Sequence, residues 1–212
     1  MSARSGLNPA PTNESDTILM LQVRDDVPGA FDRLVTRVQG RLLGVLTHLL
    51  GDRDAAEDLA QDVLLRLYRS RRLYQPTARF STWLFTIANN VVRNHRRGLR
   101  RRAQALPTAP TPGGPRPAEQ VPAGDPGVST QLRRVELAEV VRAALGSLNE
   151  DQRLAVLLNK FEGMGYAEIA SVMGRSEDAV KSLMARARYN LKILLTPYLT
   201  DGLWPDDPPG AA

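Results

Sequence analysis

The sequence contains no cysteine and only two histidines, His48 and His95, among 212 residues. Without cysteine the chain forms no disulfide, performs no thiol catalysis and builds no cysteine-ligated zinc site, and this composition suits a reducing cytoplasm. Two isolated histidines offer little for a histidine-based metal site. No apolar run is long enough to cross a bilayer, and the N-terminus lacks the apolar stretch of a secretory signal. We therefore expect a cytoplasmic protein with no metal ion, no cofactor and no membrane insertion.

Acidic residues are missing from the middle of the chain. Residues 63–118 hold twelve arginines and no aspartate or glutamate. The other 16 basic residues face 23 acidic ones, so the rest of the chain carries a net charge of −7. Lysine is also scarce, with three residues against 25 arginines; GC-rich codon usage would explain that bias but not where the charges cluster. A basic segment in an otherwise acidic chain indicates a polyanionic partner.

Apolar residues recur at three- and four-residue steps along most of the chain, which predicts an all-α fold. The first helix is expected near Ile18, and the second is expected to have Pro28 at its first position and to end at Gly51. Ser81 is expected to cap a helix that runs to about Arg102. Further helices are predicted over residues 55–69, 132–145, 149–161, 166–173 and 176–195, the one at 149 with a capping box formed by Asn149 and Gln152.

Residues 103–130 differ sharply in composition, with seven prolines, four glycines and no aromatic residue among 28. Such a segment cannot bury enough apolar surface to become ordered, which predicts a flexible linker between two small helical domains. The linker would span roughly 30 Å as a coil and about 85 Å as polyproline. The predicted organisation is a disordered tail (1–15), an N-terminal domain (16–102), the linker (103–130), a C-terminal domain (131–198) and a second tail (199–212).

Residues 166–188 have the pattern of a helix-turn-helix motif. Gly174 supplies the turn, Ser176 caps the second helix, and Val180 pins that helix to the first. The expected inner stripe of the second helix is Val180, Met184, Ala187, Leu191 and Leu194. The opposite face consists of Lys181, Ser182, Ala185, Arg186 and Tyr189. An ordinary pair of surface helices with a basic face is the structural alternative for this segment.

The helix predicted from Ser81, with the loop before it, interleaves aromatic and amide side chains with arginines. Rings stack on unpaired bases, amides read base edges and guanidinium groups hold phosphates, so this pattern suits single-stranded nucleic acid. The residues concerned are Tyr74, Arg79, Phe80, Trp83, Phe85, Asn89, Asn90, Arg93, Arg96 and Arg97. Trp83 lies four positions before Ile87, so core packing explains that ring equally well.

Acidic residues cluster at the start of the helix predicted over residues 55–69, between Asp52 and Asp62. No nucleophile, histidine or glycine-rich loop accompanies them, so nothing indicates acid–base or metal chemistry. Complementing the helix dipole is the simple structural explanation for these acids. A docking face for a basic partner helix is the functional alternative.

Five sequence blocks, in order, resemble a known family. They are DAAEDLAQDVLLRLY (54–68), FSTWLFTIANN (80–90), LNEDQR (148–153), EGMGYAEIA (162–170) and AVKSLMARAR (179–188). The sequence is similar in these blocks to the extracytoplasmic-function (ECF) sigma factors of the sigma-70 family. The resemblance covers roughly residues 16–102 and 130–196.

The resemblance implies a subunit that binds core RNA polymerase, through its β′ and β subunits, and directs promoter-specific initiation without being an enzyme. It assigns docking on the β′ clamp to Asp58, Gln61, Asp62, Leu65, Arg66 and Arg69. It assigns capture of the melted, single-stranded −10 element to Arg72, Tyr74, Arg79, Phe80, Trp83, Asn89, Asn90, Arg93, Arg96 and Arg97. It assigns the duplex −35 element to the helix-turn-helix at about residues 166–185, through Lys181, Ser182, Ala185, Arg186 and Tyr189. An anti-sigma factor is a further partner to expect.

Some positions depart from the family pattern. In the family, arginine is frequent at the positions of Leu183 and Asn89, aspartate at that of Asn94 and a larger side chain at that of Ala185. The resemblance therefore does not predict which promoter sequence is recognised.

Two other functions remain as alternatives, a stand-alone regulator that reads duplex DNA and an enzyme acting on nucleic acid. The basic segment 72–102 is superfluous for a duplex reader, and no nucleophile–base pair supports an enzyme.

Overall fold

The computed structural model describes the backbone of residues 15–105 and 128–200 and the side chains of residues 15–102 and 137–198. Within those ranges the chain forms eight α-helices, one short 3-10 turn (Arg71–Leu73) and no strand, so the all-α prediction is confirmed. The helices are α1 (Asp16–Arg24), α2 (Ala30–Leu50), α3 (Arg53–Arg69), α4 (Phe80–Ala105), α5 (Val128–Ser147), α6 (Glu150–Phe161), α7 (Tyr166–Met173) and α8 (Glu177–Thr200).

Polar side chains just before several helices fix where those helices start. The Asp52 carboxylate accepts a hydrogen bond from the backbone amide three residues on at 3.1 Å, and so caps α3. The Ser176 hydroxyl does the same for α8 at 3.2 Å. Asn149 and Gln152 form a reciprocal capping box at α6. The caps at Asn149 and Ser176 were predicted, and Asp52 shows that the acidic helix start has a structural role.

Two predicted helix starts were wrong. Pro28 lies in the turn before α2, because Gly29 takes a left-handed conformation (φ 72°) that interrupts helical geometry before Ala30. Ser81 lies inside the first turn of α4 rather than before it, since that helix already begins at Phe80. The Ser81 hydroxyl is buried without a hydrogen-bond partner among the described residues, so it caps nothing.

Helices α1–α4 form the N-terminal helical group around the apolar stripe of α2. Six residues of that helix at three- and four-residue spacing are buried: Leu34, Val38, Leu42, Val45, Leu46 and Leu49. They pack against α1 and α3, and α3 in turn packs against α4. Gly51 ends α2 in the left-handed region, as predicted (φ 73°). This packing fixes α4 as a long helix with one buried side and one exposed side.

Helices α5–α8 form the C-terminal helical group, in which α7 and α8 make the predicted helix-turn-helix. Gly174 takes the left-handed conformation that the turn requires (φ 62°). Of the predicted inner stripe of α8, Val180, Met184 and Ala187 are buried and Leu191 packs partly against the core. Leu194 was wrongly placed in that stripe, since it is 40% exposed near the end of α8.

The two groups pack directly against each other instead of standing apart. Helix α4 contacts α7 and helix α2 contacts α6, so one continuous core runs through both groups. Helices α4 and α5 also extend into the ends of the predicted linker, over residues 103–105 and 128–130. The remainder of the predicted linker and nearly all of the predicted tails lie outside the described residues. No helix in the part of the chain that the structure describes is long and apolar enough to span a membrane.

Candidate nucleic-acid interface

An aromatic cluster opens α4. The rings of Tyr74 and Trp83 have centroids 5.0 Å apart, and Phe80 lies 6.2 Å from Tyr74 and 6.4 Å from Trp83. Tyr74 and Phe80 are almost fully buried, whereas Trp83 is half-buried. The cluster therefore shapes the junction between the loop and α4, and of its three rings Trp83 is the one with substantial surface to offer a partner.

The middle of α4 separates the predicted residues into two sets. Asn90, Arg93 and Arg97 are exposed, and their spacing of three and four residues places them on one face of the helix. Asn89 is instead buried, and its side-chain amide donates a hydrogen bond of 3.0 Å to the Val172 carbonyl of α7. Arg96 is 21% exposed and forms an ion pair with Glu150 at the start of α6.

The arginines before α4 are partly neutralised by acids from distant parts of the sequence. Arg71 and Arg72 both form ion pairs with Asp26, at 2.7 and 2.6 Å. The hydrogen bond from Arg71 lowers the pKa of the Asp26 carboxyl, with a smaller contribution from Arg72. Arg79 lies 3.7 Å from Glu168 of α7. These pairs could not be predicted from the sequence, because the partners are 45 or more positions apart.

Helix α3 presents the predicted polymerase-docking residues on its surface. Asp58, Gln61 and Arg69 are exposed, Asp62 pairs with Arg66 at 2.9 Å, and Leu65 is 46% exposed. Two nearby side chains that were not singled out from the sequence are also exposed, Tyr68 at 39% and Leu73 at 78%. One side of α3 is therefore a mixed apolar and charged face, which we call the α3 face; it consists of Asp58, Gln61, Asp62, Leu65, Arg66, Tyr68 and Arg69.

The predicted DNA-reading face of α8 is exposed throughout, at Lys181, Ser182, Ala185, Arg186 and Tyr189. The Lys181 ammonium group pairs with Glu177 and Asp178 of its own helix at 3.2 Å each. Its hydrogen bond to the Glu177 carboxylate raises the pKa of the ammonium group, with a smaller contribution from Asp178. Arg186 has no ion pair among the described side chains. Arg186 is therefore the freest cation of this face.

One buried acid at the junction of the two groups was also missed from sequence. The Glu162 side chain at the end of α6 is 2% exposed, and its nearest ion-pair partner, Arg41, lies 3.6 Å away. Burial raises the pKa of this carboxyl, while the Arg41 charge opposes the shift. The described residues contain no cluster of acids or histidines that could hold a metal ion.

Comparison with known proteins places both groups in one family. The Sigma-70 region 2 model matches residues 34–102, and the Sigma-70 region 4 model matches residues 138–191. RNA polymerase sigma-H factor of Pseudomonas aeruginosa is 31% identical over 90% of this chain and 98% of that protein. The ECF RNA polymerase sigma-E factor of Haemophilus influenzae is 29% identical over 87% of this chain and 97% of that protein. The structure of CnrH in complex with the cytosolic domain of CnrY is similar, with a TM-score of 0.62 and 26% identity over 86% of this chain and 98% of CnrH.

Sigma-70 region 2 thus corresponds to α2–α4 and region 4 to α5–α8, in the order that the five sequence blocks indicated. The relatives match over nearly their whole length. The chain therefore belongs to the sigma-70 family, as an ECF sigma factor that directs promoter-dependent transcription initiation and is not an enzyme.

Proposed function

We propose that this chain divides initiation among three surfaces: the α3 face docks on the β′ clamp, the exposed face of α4 holds the melted −10 strand, and α8 reads the −35 duplex. The observation that carries the proposal is the exposed row on α4 formed by Asn90, Arg93 and Arg97. These two arginines form no ion pair within the described side chains, so their charge is available to phosphates.

The α4 face suits a single strand better than a duplex. The Asn90 amide is followed along the row by two guanidinium groups, and the half-buried Trp83 lies about two turns before it on the same helix. Together they offer base-edge recognition, phosphate contacts and a stacking surface. A stand-alone duplex reader would have no use for these features. Tyr74 and Phe80, which are buried, would act by holding Trp83 rather than by touching bases in this arrangement.

The α8 face suits a major groove. Ser182, Ala185, Arg186 and Tyr189 lie on one side of the helix, at the spacing that lets consecutive turns face the same groove. Arg186 is the candidate for bidentate contact with guanine, and the Ala185 methyl suits contact with a thymine methyl. Lys181 is already paired within α8, so it would contact a phosphate only by exchanging its acidic partners.

The α3 face supplies the contact with core polymerase. Partly exposed apolar side chains with charges around them resemble the centre and rim of a protein interface.

This chain would act in the cytoplasm, because polymerase and promoter DNA are found there. Because CnrH was solved with the cytosolic domain of CnrY, we also propose a cytosolic protein partner of the anti-sigma class for this chain.

The test is run-off transcription with purified core polymerase on a genomic promoter library, followed by Asn90→Ala and Arg97→Ala on one promoter. Both variants should lose open complex on the duplex promoter far more than on a template already melted at −10, because only the melted element exposes bases to α4. Lys160→Ala, which removes an exposed charge outside the three surfaces, is the control. Equal defects on both templates would contradict the assignment and favour a non-specific phosphate clamp.

A further inference from the structure

The exposed side of α8 continues beyond the helix-turn-helix towards the end of the helix. Arg186, Tyr189 and Ile193 follow one another at steps of three and four residues, so their side chains lie on one side of α8. Tyr189 is 67% exposed and Ile193 is 55% exposed. Lys192 is exposed beside them, and neither it nor Arg186 forms an ion pair among the described side chains. This row, which we call the α8 row, therefore combines two large apolar side chains with two available cations.

The sequence that follows α8 has the complementary composition. Residues 201–212, which we call the acidic segment, read DGLWPDDPPGAA, with three aspartates, no basic residue and one pair of large apolar residues, Leu203 and Trp204. They lie outside the described residues, and the proposed function does not use them. Tryptophan buries a large apolar area and is enriched among the residues that anchor protein interfaces. An acidic segment with such an anchor suits a face that places cations beside apolar side chains.

The spacing of the acidic segment matches the spacing of the α8 row. An extended chain advances about 3.3 Å per residue and a helix about 1.5 Å, so a segment that turns back at the end of α8 passes about two helical residues with each of its own. Trp204 can reach at most about 13 Å back along α8, and Ile193 lies about 10 Å from the helix end. Asp207 can reach at most about 23 Å, and Arg186 lies about 21 Å from the helix end. The anchor therefore meets the apolar part of the row while the aspartates reach its arginine.

We propose that the acidic segment folds back on the α8 row, with Trp204 packed on Ile193 and the pair Asp206–Asp207 beside Arg186. The inference rests on the proposed role of α8, in which Arg186 is the candidate base reader. The docked segment covers the cation that the −35 duplex needs, so segment and duplex compete for one face. The free chain then binds duplex DNA more weakly than its exposed α8 face alone would.

The first test removes the charges and the anchor of the acidic segment separately, in the full chain. Asp206→Asn with Asp207→Asn removes two charges and keeps the shape of the side chains, whereas Trp204→Ala removes the anchor and no charge. The affinity for a labelled −35 duplex, taken from a promoter found by run-off transcription, is measured by fluorescence anisotropy. Exposed ion pairs are individually weak, so masking of this kind lowers the affinity by about threefold to fivefold, and either change should relieve it.

The charge-matched control is Glu119→Gln with Asp125→Asn, which removes two acids between the helical groups and leaves the acidic segment intact. The control should bind the duplex with the affinity of the wild-type chain. Equal tightening in the control would overturn the inference, since net charge alone would then explain the effect. Tightening by the aspartate changes with none by Trp204→Ala would also overturn it, because an undocked acidic segment that only repels DNA gives that result.

The second test locates the anchor without any DNA. The chain has two tryptophans, so Trp83→Phe leaves Trp204 as the single source of tryptophan fluorescence. In that background acrylamide, an uncharged quencher, should quench Trp204 much less in the folded chain than in urea. Ile193→Ala removes the seat of the ring and should raise the quenching constant nearly to that of the unfolded chain.

The matched control for the second test is Leu194→Ala. Leu194 is 40% exposed against 55% for Ile193, and it lies about 100° further round α8, outside the α8 row. Leu194→Ala should leave Trp204 protected. A ring that is quenched as strongly in the folded chain as in urea would refute docking. A rise in quenching with Leu194→Ala in place of Ile193→Ala would refute the proposed seat, because the segment would then leave the reading face uncovered.

The two proposals fail differently. Acrylamide quenching reports docking without any DNA, whereas Arg186→Ala made in the Trp204→Ala chain reports the reading role of α8 where docking is already absent. A chain with an accessible Trp204 that loses −35 binding through Arg186→Ala refutes the docked segment alone. A chain with a protected Trp204 in which Arg186→Ala leaves −35 binding unchanged refutes the proposed role of α8.

Discussion

The role of the α3 face can be tested by replacing one exposed leucine. Fully burying a leucine side chain contributes about 1.5–3 kcal/mol. Leu65 is 46% exposed in the free chain, so about half of that burial remains for a docking partner. Leu65→Ala should therefore weaken binding to core polymerase by about 1 kcal/mol, which is about fivefold in Kd.

The matched control is Leu99→Ala on α4, because Leu99 is 48% exposed and lies outside the α3 face. Both variants remove the same atoms from helical sites of nearly equal exposure, so their melting temperatures should shift alike. The Kd for core polymerase, measured by fluorescence anisotropy of labelled chain, should change for Leu65→Ala alone. Equal losses of affinity in the two variants, or none in either, would refute the reasoning, since docking would then not bury Leu65.

Three further predictions concern other parts of the molecule. If Arg186 reads a base, Arg186→Ala should weaken binding to a −35 duplex by about 1–3 kcal/mol and relax the preference at one base pair. If Arg186 contacts only a phosphate, the same change should weaken binding to all sequences alike and lower the slope of log K against log salt concentration by about one. Asn149→Ala should lower the free energy of unfolding by about 1 kcal/mol in urea titrations, because the capping box of α6 is lost. Since burial raises the pKa of Glu162 above its ordinary 4.5, the stability that this group contributes is complete below that value and is lost as pH rises through the folded pKa. Glu162→Gln should flatten that fall in unfolding free energies measured against pH, and an unchanged slope would mean that another group titrates.

Much of the fold could be predicted from the sequence, because helix caps and helix-ending glycines depend on nearby residues. The capping box at Asn149, the serine cap at Ser176 and the left-handed glycines at 51 and 174 act within a few residues, so their positions follow from the chain itself. The order of the five sequence blocks likewise identified the family. The two wrong helix starts show the limit of such reasoning, because a left-handed Gly29 and the buried position of Ser81 depend on how neighbouring segments pack.

The residues of the candidate surfaces could be predicted from the sequence only in part. Helical spacing placed Arg186 and Tyr189 on an exposed face, and their exposure agrees. The same spacing could not separate Asn89 from Asn90, adjacent amides of which one is buried against α7 and the other faces outward. The two amides differ because Asn89 bonds to the Val172 carbonyl, which belongs to the C-terminal helical group and lies 83 positions further along the chain.

The sequence by itself determined which segments are helical, which helix starts are capped and where basic residues concentrate, since each of these depends on neighbours in the chain. Tertiary structure alone decided which charged side chains are engaged in contacts within the protein and which remain available to a partner. It brought Asp26 to Arg71 across 45 positions and Arg153 to the Leu49 carbonyl across 104. Such contacts form because packing of apolar faces brings distant helix ends together, and the polar groups enclosed there must then find partners wherever the chain supplies them.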